Sequence, residues 1–395
     1  MQQILTAPQL LIGPREQQFA PGALLIEDDT IAAVGTVPEI EYRVSSTARR
    51  RDYPNGTILP GLINCHVHLA FDGSSDPAGT LKSTEDPDLI NDMGRRARQH
   101  LKSGVTTVRD LGDRRGLITE LRHAIEHGAV AGPRILAACS PLTPPGGHCW
   151  FLGGEVATDT DIRDQVRHNA EHGADLIKVM GTGGQMTPDG PGMRDTQFSP
   201  VQLHLIVDTA RAAGLPTAIH AYTADTIAAA VEARFSTIEH CTFLGQNGAP
   251  DLRDTVAENM ATSGIAASPA LPTGWRQMWD MLGEQRAESI AHRLRWLANH
   301  GVPLLFGSDA GVPISQHGDP VSTLELYEHI GFSNAAILEL ATTTSAHHIG
   351  LGDTTGTLRP GLAADILVTN GNPLHDLQAL RDLQSTIRAG KDVPT

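Results

Sequence analysis

Residues 57–70 read TILPGLINCHVHLA. The apolar run 57–63 reads as a strand. Directly after it, His66 and His68 stand one residue apart. On a strand, residues i and i+2 point to the same face. The stretch therefore aims two imidazoles at one point from a strand end. The chain has 18 histidines, so one such pair also arises by chance. Its meaning depends on what the other strand ends carry.

Outward from this stretch, short apolar runs alternate with helical patterns. The runs are 105–110, 133–138, 176–180, 217–220, 237–240, 264–268 and 302–309. Helical patterns cover 89–102, 117–127, 160–172, 200–213 and 223–233. Counted from Ile58, eight or nine strand candidates with helices between them predict an α/β protein, a (β/α)8 TIM barrel. A doubly wound open sheet is the rival, and it calls for a Gly-rich nucleotide turn after the first strand. No such turn is present.

Both chain ends are β-rich. Residues 22–35 read as strand, Asp28-Asp29 turn and strand, and 361–369 as a further strand. If the ends pair, residues 1–56 and 358–395 form one small β-sandwich domain, with the barrel, 57–357, inserted between its halves. A separate stretch, 269–290, is rich in Trp and Met and follows the seventh strand candidate. It is expected as a long loop that walls a rather apolar pocket or packs against a neighbouring subunit.

Bulk properties narrow the function. A formal net charge of −15 lacks the basic footprint of a nucleic-acid binder. It leaves room for a local cationic pocket. No apolar stretch is long enough to span a membrane, and the N-terminus does not read as a signal peptide. The cysteines, Cys65, Cys139, Cys149 and Cys241, show no C-x-x-C spacing. A reduced, cytoplasmic protein is expected, acting on a small molecule and assembling as a homo-oligomer.

The ionisable residues at the strand ends are His66, His68, Lys178, His220, His240 and Asp309. Barrel enzymes place their chemistry at the C-terminal ends of strands. Five of the six are common metal ligands. Lys178 is the odd member, because an ammonium among metal cations is repelled; snorkelling to the rim is its simple reading. With its pKa lowered, the amine can lose its proton. Carbon dioxide then converts it to a carbamate, an anion able to bridge two metals about 3.5–4 Å apart.

These residues carry a resemblance. The chain resembles the amidohydrolase superfamily, in its imidazolonepropionase-like and Xaa-Pro dipeptidase-like branch. The matching cues run nearly end to end: Ala32–Gly35, Leu59–His68, Gly104–Asp110, Ile177-Lys178, Ile219–Ala221, Ile238–His240, Gly307–Gly311 and Gly356–Asp365. The resemblance implies that His66, His68 and Asp309 hold a buried metal and that His220 and His240 hold a more exposed one. Carboxylated Lys178 and a hydroxide bridge both. Zinc suits the imidazole-rich set. Imidazolonepropionase itself lacks the lysine and binds one metal, so Lys178 argues for two.

The implied chemistry is attack of the hydroxide on a polarised carbonyl, with Asp309 as general base and then general acid. His148, in the Gly146-Gly147-His148 loop, and Tyr222, two residues past His220, are candidate donors to the oxyanion. The alternatives are a loop histidine without a role and rim packing. Arg194, on the glycine-rich loop after Lys178, either clamps a substrate carboxylate or is a solvated loop arginine. Arg109 and Asp110 read as a structural ion pair, and His347-His348 as non-catalytic. The leading reading is hydrolysis of the amide bond of an N-acyl amino acid or a dipeptide of the Xaa-Pro kind. The alternatives are hydrolysis of a cyclic amide, carbamate or ester, a deaminase, and a non-enzymatic scaffold.

Overall fold

The computed structural model describes residues 2–13, 15 and 17–394. The run 57–63 is two strands, not one. Gly56–Pro60 pairs antiparallel with Ile366–Asn370 and parallel with Gln9–Leu11, in a six-stranded sheet drawn from both chain ends. Strand β1 (Leu62–Val67) pairs in parallel with β2 (Val105–Asp110). Gly61 joins the two. A Cβ there would lie 2.1 Å from Thr106 Oγ1, so only glycine fits this approach. The boundary expected at residue 57 thus falls inside a chain-end strand.

β3 (Arg134–Ala137) completes a three-stranded parallel sheet in the order β3-β2-β1. A second parallel sheet holds β4 (Ile177–Met180), β5 (Thr217–Thr223), β6 (Thr237–Leu244) and β7 (Ala266–Ser268), in that order. Every residue of β1, β2 and β4 is buried, as in parallel strands covered on both faces.

Two seams link the sheets. At one, Leu142 N–H donates to Lys178 O (2.8 Å) and Met180 N–H to Leu142 O (2.9 Å). At the other, residues 302–310 lie between β7 and β1. Leu305 N–H donates to Ala267 O (2.9 Å), Cys65 N–H to Phe306 O (2.7 Å) and Asp309 N–H to His66 O (2.9 Å). The expected eighth strand is therefore present as isolated bridges rather than a ladder. Two local features break it. Gly307 passes so close to β7 and β1 that a Cβ would sit 2.6 Å from Ser268 Oγ. Asp309 has φ +54°.

The helices fall where expected: Asp86–Lys102, Ile118–Glu126, Asp159–Glu171, Pro200–Ala212 and Ala224–Ala233. Their starts are written in the sequence. Ser199 accepts from Gln202 N–H while the Gln202 side chain returns to Ser199, with Pro200 in the first turn. Thr158 and Asp161 repeat the device. The stretch 269–290 departs from expectation. It holds a helix, Trp275–Leu282, broken at Gly283 (φ +74°) before Glu284–Asn299. Trp275 is buried against the His329 ring, 5.0 Å between centroids.

At the chain ends, Gly22–Glu27 and Thr30–Thr36 form an antiparallel hairpin that turns at Asp28 (φ +55°). With Gln2–Ala7 and Arg49–Asp52 they make a four-stranded sheet. One buried cluster packs Leu5, Leu24 and Ile26 against Ile366, Val368 and Ile387, so both ends share a core. Among the described residues, no helix is long and apolar enough to cross a membrane.

Candidate metal centre

One cavity of ≈ 380 Å³ opens at the C-terminal ends of the parallel strands. His66, His68, Lys178, His220, His240 and Asp309 all line it, together with His148 and Tyr222.

His66 and His68 stand side by side at the end of β1, as the i, i+2 spacing requires. His66 Nε2 lies 3.3 Å and His68 Nε2 3.5 Å from the same oxygen, Asp309 Oδ1. The other ring nitrogens are engaged: His66 Nδ1 with Glu239 Oε2 (2.8 Å) and His68 Nδ1 with Gly112 O (3.1 Å). Each partner is an acceptor, so Nδ1 carries the proton and Nε2 presents its lone pair. Two imidazole lone pairs and a carboxylate oxygen then converge on one point. Acceptors gathered without a donor fit a cation, and these three residues have the spacing of a metal group. Burial, then the neighbouring His66, pushes the His68 imidazole well below its ordinary range, which keeps it neutral.

His220 and His240, from β5 and β6, form a second group with rings 4.6 Å apart; His240 is 5.3 Å from the His66 ring. His220 Nε2 faces Gly183 O at 3.1 Å, which leaves Nδ1 as its free lone pair. Burial depresses both imidazoles, followed by the effect of the neighbouring histidines and of Lys178. His240 has φ +63° and Asp309 φ +54°, a left-handed backbone that few side chains other than Asn, Asp and His adopt. Such strain concentrates where function over-determines the chain.

Lys178 projects from β4 and is 1 % exposed. Burial is the main cause that brings its amine down to about 8. The rim reading is thus corrected: this lysine is buried in the cavity lining.

Two sequence expectations fail. Arg194 does not line the cavity. It is exposed, and its Nη1 donates to Gln246 O at 2.9 Å. Arg109 does not pair with Asp110, because successive strand residues point to opposite faces. Arg109 Nη2 meets Glu239 Oε1 at 2.8 Å, while Asp110 accepts from the backbone N–H groups of Leu69 and Gly112. Glu239 is the partner of His66 that sequence reasoning missed, although it precedes His240 directly. His347 and His348 lie outside the cavity lining, as expected.

Other contacts hold the loops. His148 N–H donates to Gln197 Oε1 (2.7 Å), and Gln197 Nε2 donates to Met180 O (2.6 Å). Burial first, then the Lys178 charge, depresses the His148 imidazole to about 4. Apart from the Gln185 amide, the rest of the wall is mainly apolar, with Phe71, Met180, Met186, Met281, Val312 and Ile314.

The chain belongs to the Amidohydrolase family, whose profile matches residues 57–393. It is a hydrolase acting on C–N bonds. It is 26% identical over 419 residues to an ochratoxinase of Aspergillus niger, covering 97% of this chain and 84% of that one. It is 25% identical over 386 residues to an imidazolonepropionase of Geobacillus kaustophilus, covering 88% and 84%. A crystal structure of a Xaa-Pro dipeptidase with bound methionine in the active site superposes with a TM-score of 0.87 at 26% identity, covering 100% of both chains.

Proposed function

We propose that the protein is a two-metal hydrolase that cleaves an amide bond. His66, His68 and Asp309 would hold one divalent ion, His220 and His240 the other, and a carboxylated Lys178 would bridge them. The observation that carries this reading is that all six side chains line one cavity. Zinc suits the donor set. Among the described residues, none accepts a hydrogen bond or ion pair from Lys178 Nζ. A buried amine with a lowered pKa is the form that carbon dioxide attacks. We read the parallel strands and residues 302–310 as a closed (β/α)8 barrel, which the hydrogen bonds at both seams support. Residues 1–56 and 358–395, extended by the strand Gly56–Pro60, we read as a composite β-sandwich domain, supported by their shared core. The buried, unpaired cysteines support a cytoplasmic setting.

Bound there, two divalent ions would lower the pKa of water and supply Lewis acidity toward a carbonyl. The side chains supply the rest. Asp309, whose carboxyl burial raises above its ordinary range, accepts the water proton and returns it to the leaving nitrogen. Tyr222 and His148 face the cavity as donors to the developing oxyanion.

The relatives' names support an amide substrate. An N-acyl amino acid or Xaa-Pro dipeptide carries a free carboxylate close to the scissile bond, and Arg194, proposed from the sequence as its clamp, is not among the lining residues. Among the described residues, no arginine lines the cavity. The apolar wall therefore supports an amide with a bulky uncharged group on one side. The same wall favours a second reading, a cyclic amide, carbamate or ester of similar character.

The test is turnover by the zinc-loaded protein on a mass-spectrometric panel, with a metal-stripped control. The panel holds N-acyl amino acids, Xaa-Pro dipeptides, neutral aryl and alkyl amides, lactams, carbamates and esters. Metal-dependent cleavage of neutral amides is expected. Cleavage confined to carboxylate-bearing amides would overturn the apolar assignment, and equal turnover without metal would overturn the metal reading.

A further inference from the structure

Arg109 is buried, and each of its three guanidinium nitrogens donates a hydrogen bond. Nε donates to Cys65 O (2.7 Å), Nη1 to Thr237 Oγ1 (3.0 Å) and Nη2 to Glu239 Oε1 (2.8 Å). It thus ties the residue preceding His66 on β1 to the residues leading to His240 on β6. Thr237 Oγ1 also donates to Glu239 Oε1, at 2.6 Å. With Oε1 occupied twice, Oε2 is left to accept from His66 Nδ1, at 2.8 Å. His68 has no such arrangement, since its Nδ1 meets only the Gly112 carbonyl.

A buried ion pair brings little net stability, because desolvation offsets the attraction. What this one brings is orientation. Arg109 and Thr237 fix the carboxylate plane, and the carboxylate fixes both the ring angle and the tautomer of His66. An ionised acceptor behind a ligating imidazole also raises its donor strength. The two histidines of the H-x-H pair are therefore unequal, one backed by a charge and the other by a neutral peptide group.

We propose that Arg109 and Glu239 are positioning residues that set the tautomer and orientation of His66, and through it the affinity of the His66–His68–Asp309 position for a divalent ion. The inference rests on the metal reading above.

The experiment uses Glu239→Gln and Arg109→Lys, with two readouts. The first is ¹⁵N NMR of the His66 ring in metal-stripped protein, which reports the tautomer without any metal. The second is zinc affinity, by competition with a chromophoric chelator. Removing Arg109 alone leaves a buried carboxylate unpaired and threatens folding. The double variant Arg109→Met/Glu239→Gln removes both charges and keeps the question answerable. In wild type, His66 is expected to carry its proton on Nδ1. In the variants that preference weakens, and zinc affinity falls about 10–100-fold at one of the two positions. Unchanged tautomer and affinity within about threefold, in folded variants, would overturn the proposal. If wild type itself binds no zinc, the metal reading fails, and the NMR arm still decides whether Arg109 and Glu239 set the tautomer.

Discussion

The Tyr222 ring lies on the His240 ring, with centroids 4.8 Å apart and planes within 24° of parallel. It also meets His220 edge-on at 4.7 Å. The tyrosine therefore does two separable things: its ring braces the second pair of histidines, and its hydroxyl faces the cavity. Tyr222→Phe keeps the brace and removes the donor. We expect metal content to hold while kcat falls by roughly 10²-fold, as for loss of an oxyanion donor. Tyr222→Ala should lose metal as well. Full turnover by Tyr222→Phe would leave the side chain with packing alone.

Lys178 and Asp309 give the sharpest test of the donor set. Lys178→Ala should lose at least one metal ion per chain, counted by elemental mass spectrometry. Asp309→Asn is close to isosteric and should keep the circular dichroism of wild type while abolishing turnover. Metal content unaltered by Lys178→Ala would sink the carbamate; brisk turnover by Asp309→Asn would end its proton-transfer role.

Met281 is 73% exposed on the Trp275–Leu282 helix and yet lines the cavity. Its thioether wall should matter to an apolar substrate and little to the chemistry. Met281→Ala should raise KM about three- to tenfold with kcat nearly constant, in keeping with the loss of part of one apolar side chain. A fall in kcat at constant KM would place the helix in the catalytic step instead.

A second histidine pair predicts acid lability. His100 Nε2 and His317 Nδ1 are 3.0 Å apart, and His317 Nε2 donates to Phe71 O at 2.9 Å. Burial depresses both imidazoles, His317 to about 4. In the unfolded chain histidine titrates near 6.5. Protonation is thus easier in the unfolded state, so stability is fully present above pH 6.5 and lost as pH falls toward 4. For His317 the drop from 6.5 to about 4 corresponds to a loss of about 3 kcal/mol. Urea unfolding at several pH values should show this slope, and His317→Gln should flatten it. An unchanged slope would remove the pair from the account.

Gly61 supplies a stability test. Gly61→Ala places a methyl group against Thr106, whose side-chain atoms lie 2.1–2.8 Å from the new Cβ. Such overpacking costs about 1–3 kcal/mol. Thr106→Ala in the same chain should recover part of it. A neutral Gly61→Ala in urea titration would mean that the strand junction is looser than its geometry.

The sequence carried the candidate ligands because each sits at the end of an apolar run, where the period of a strand makes neighbours of distant residues. Helix starts were legible through their caps, as at Ser199 and Thr158. Glu239 was not. Beside His240 on a regular strand it would point away, and only the turn of the backbone at His240 allows both to reach the site. Arg194 misled for the opposite reason: a cation on the right loop says nothing of where the loop sends it. The break in residues 302–310 and the split at Gly61 both depend on close approaches between chains far apart in sequence. Such approaches leave no periodic trace.

The left-handed backbone at His240 and Asp309 also restricts which mutants can be informative there. Glycine enters such a conformation freely, and asparagine, aspartate and histidine do so far more readily than other residues. In a saturation library, most replacements at these two positions should damage the fold and the chemistry together. Only that small group of residues should separate the two. The range of metal-binding chemistries reachable by single substitution is correspondingly narrow: His240 and Asp309 can be exchanged for one another's residue types, or silenced by asparagine, with little else open to them.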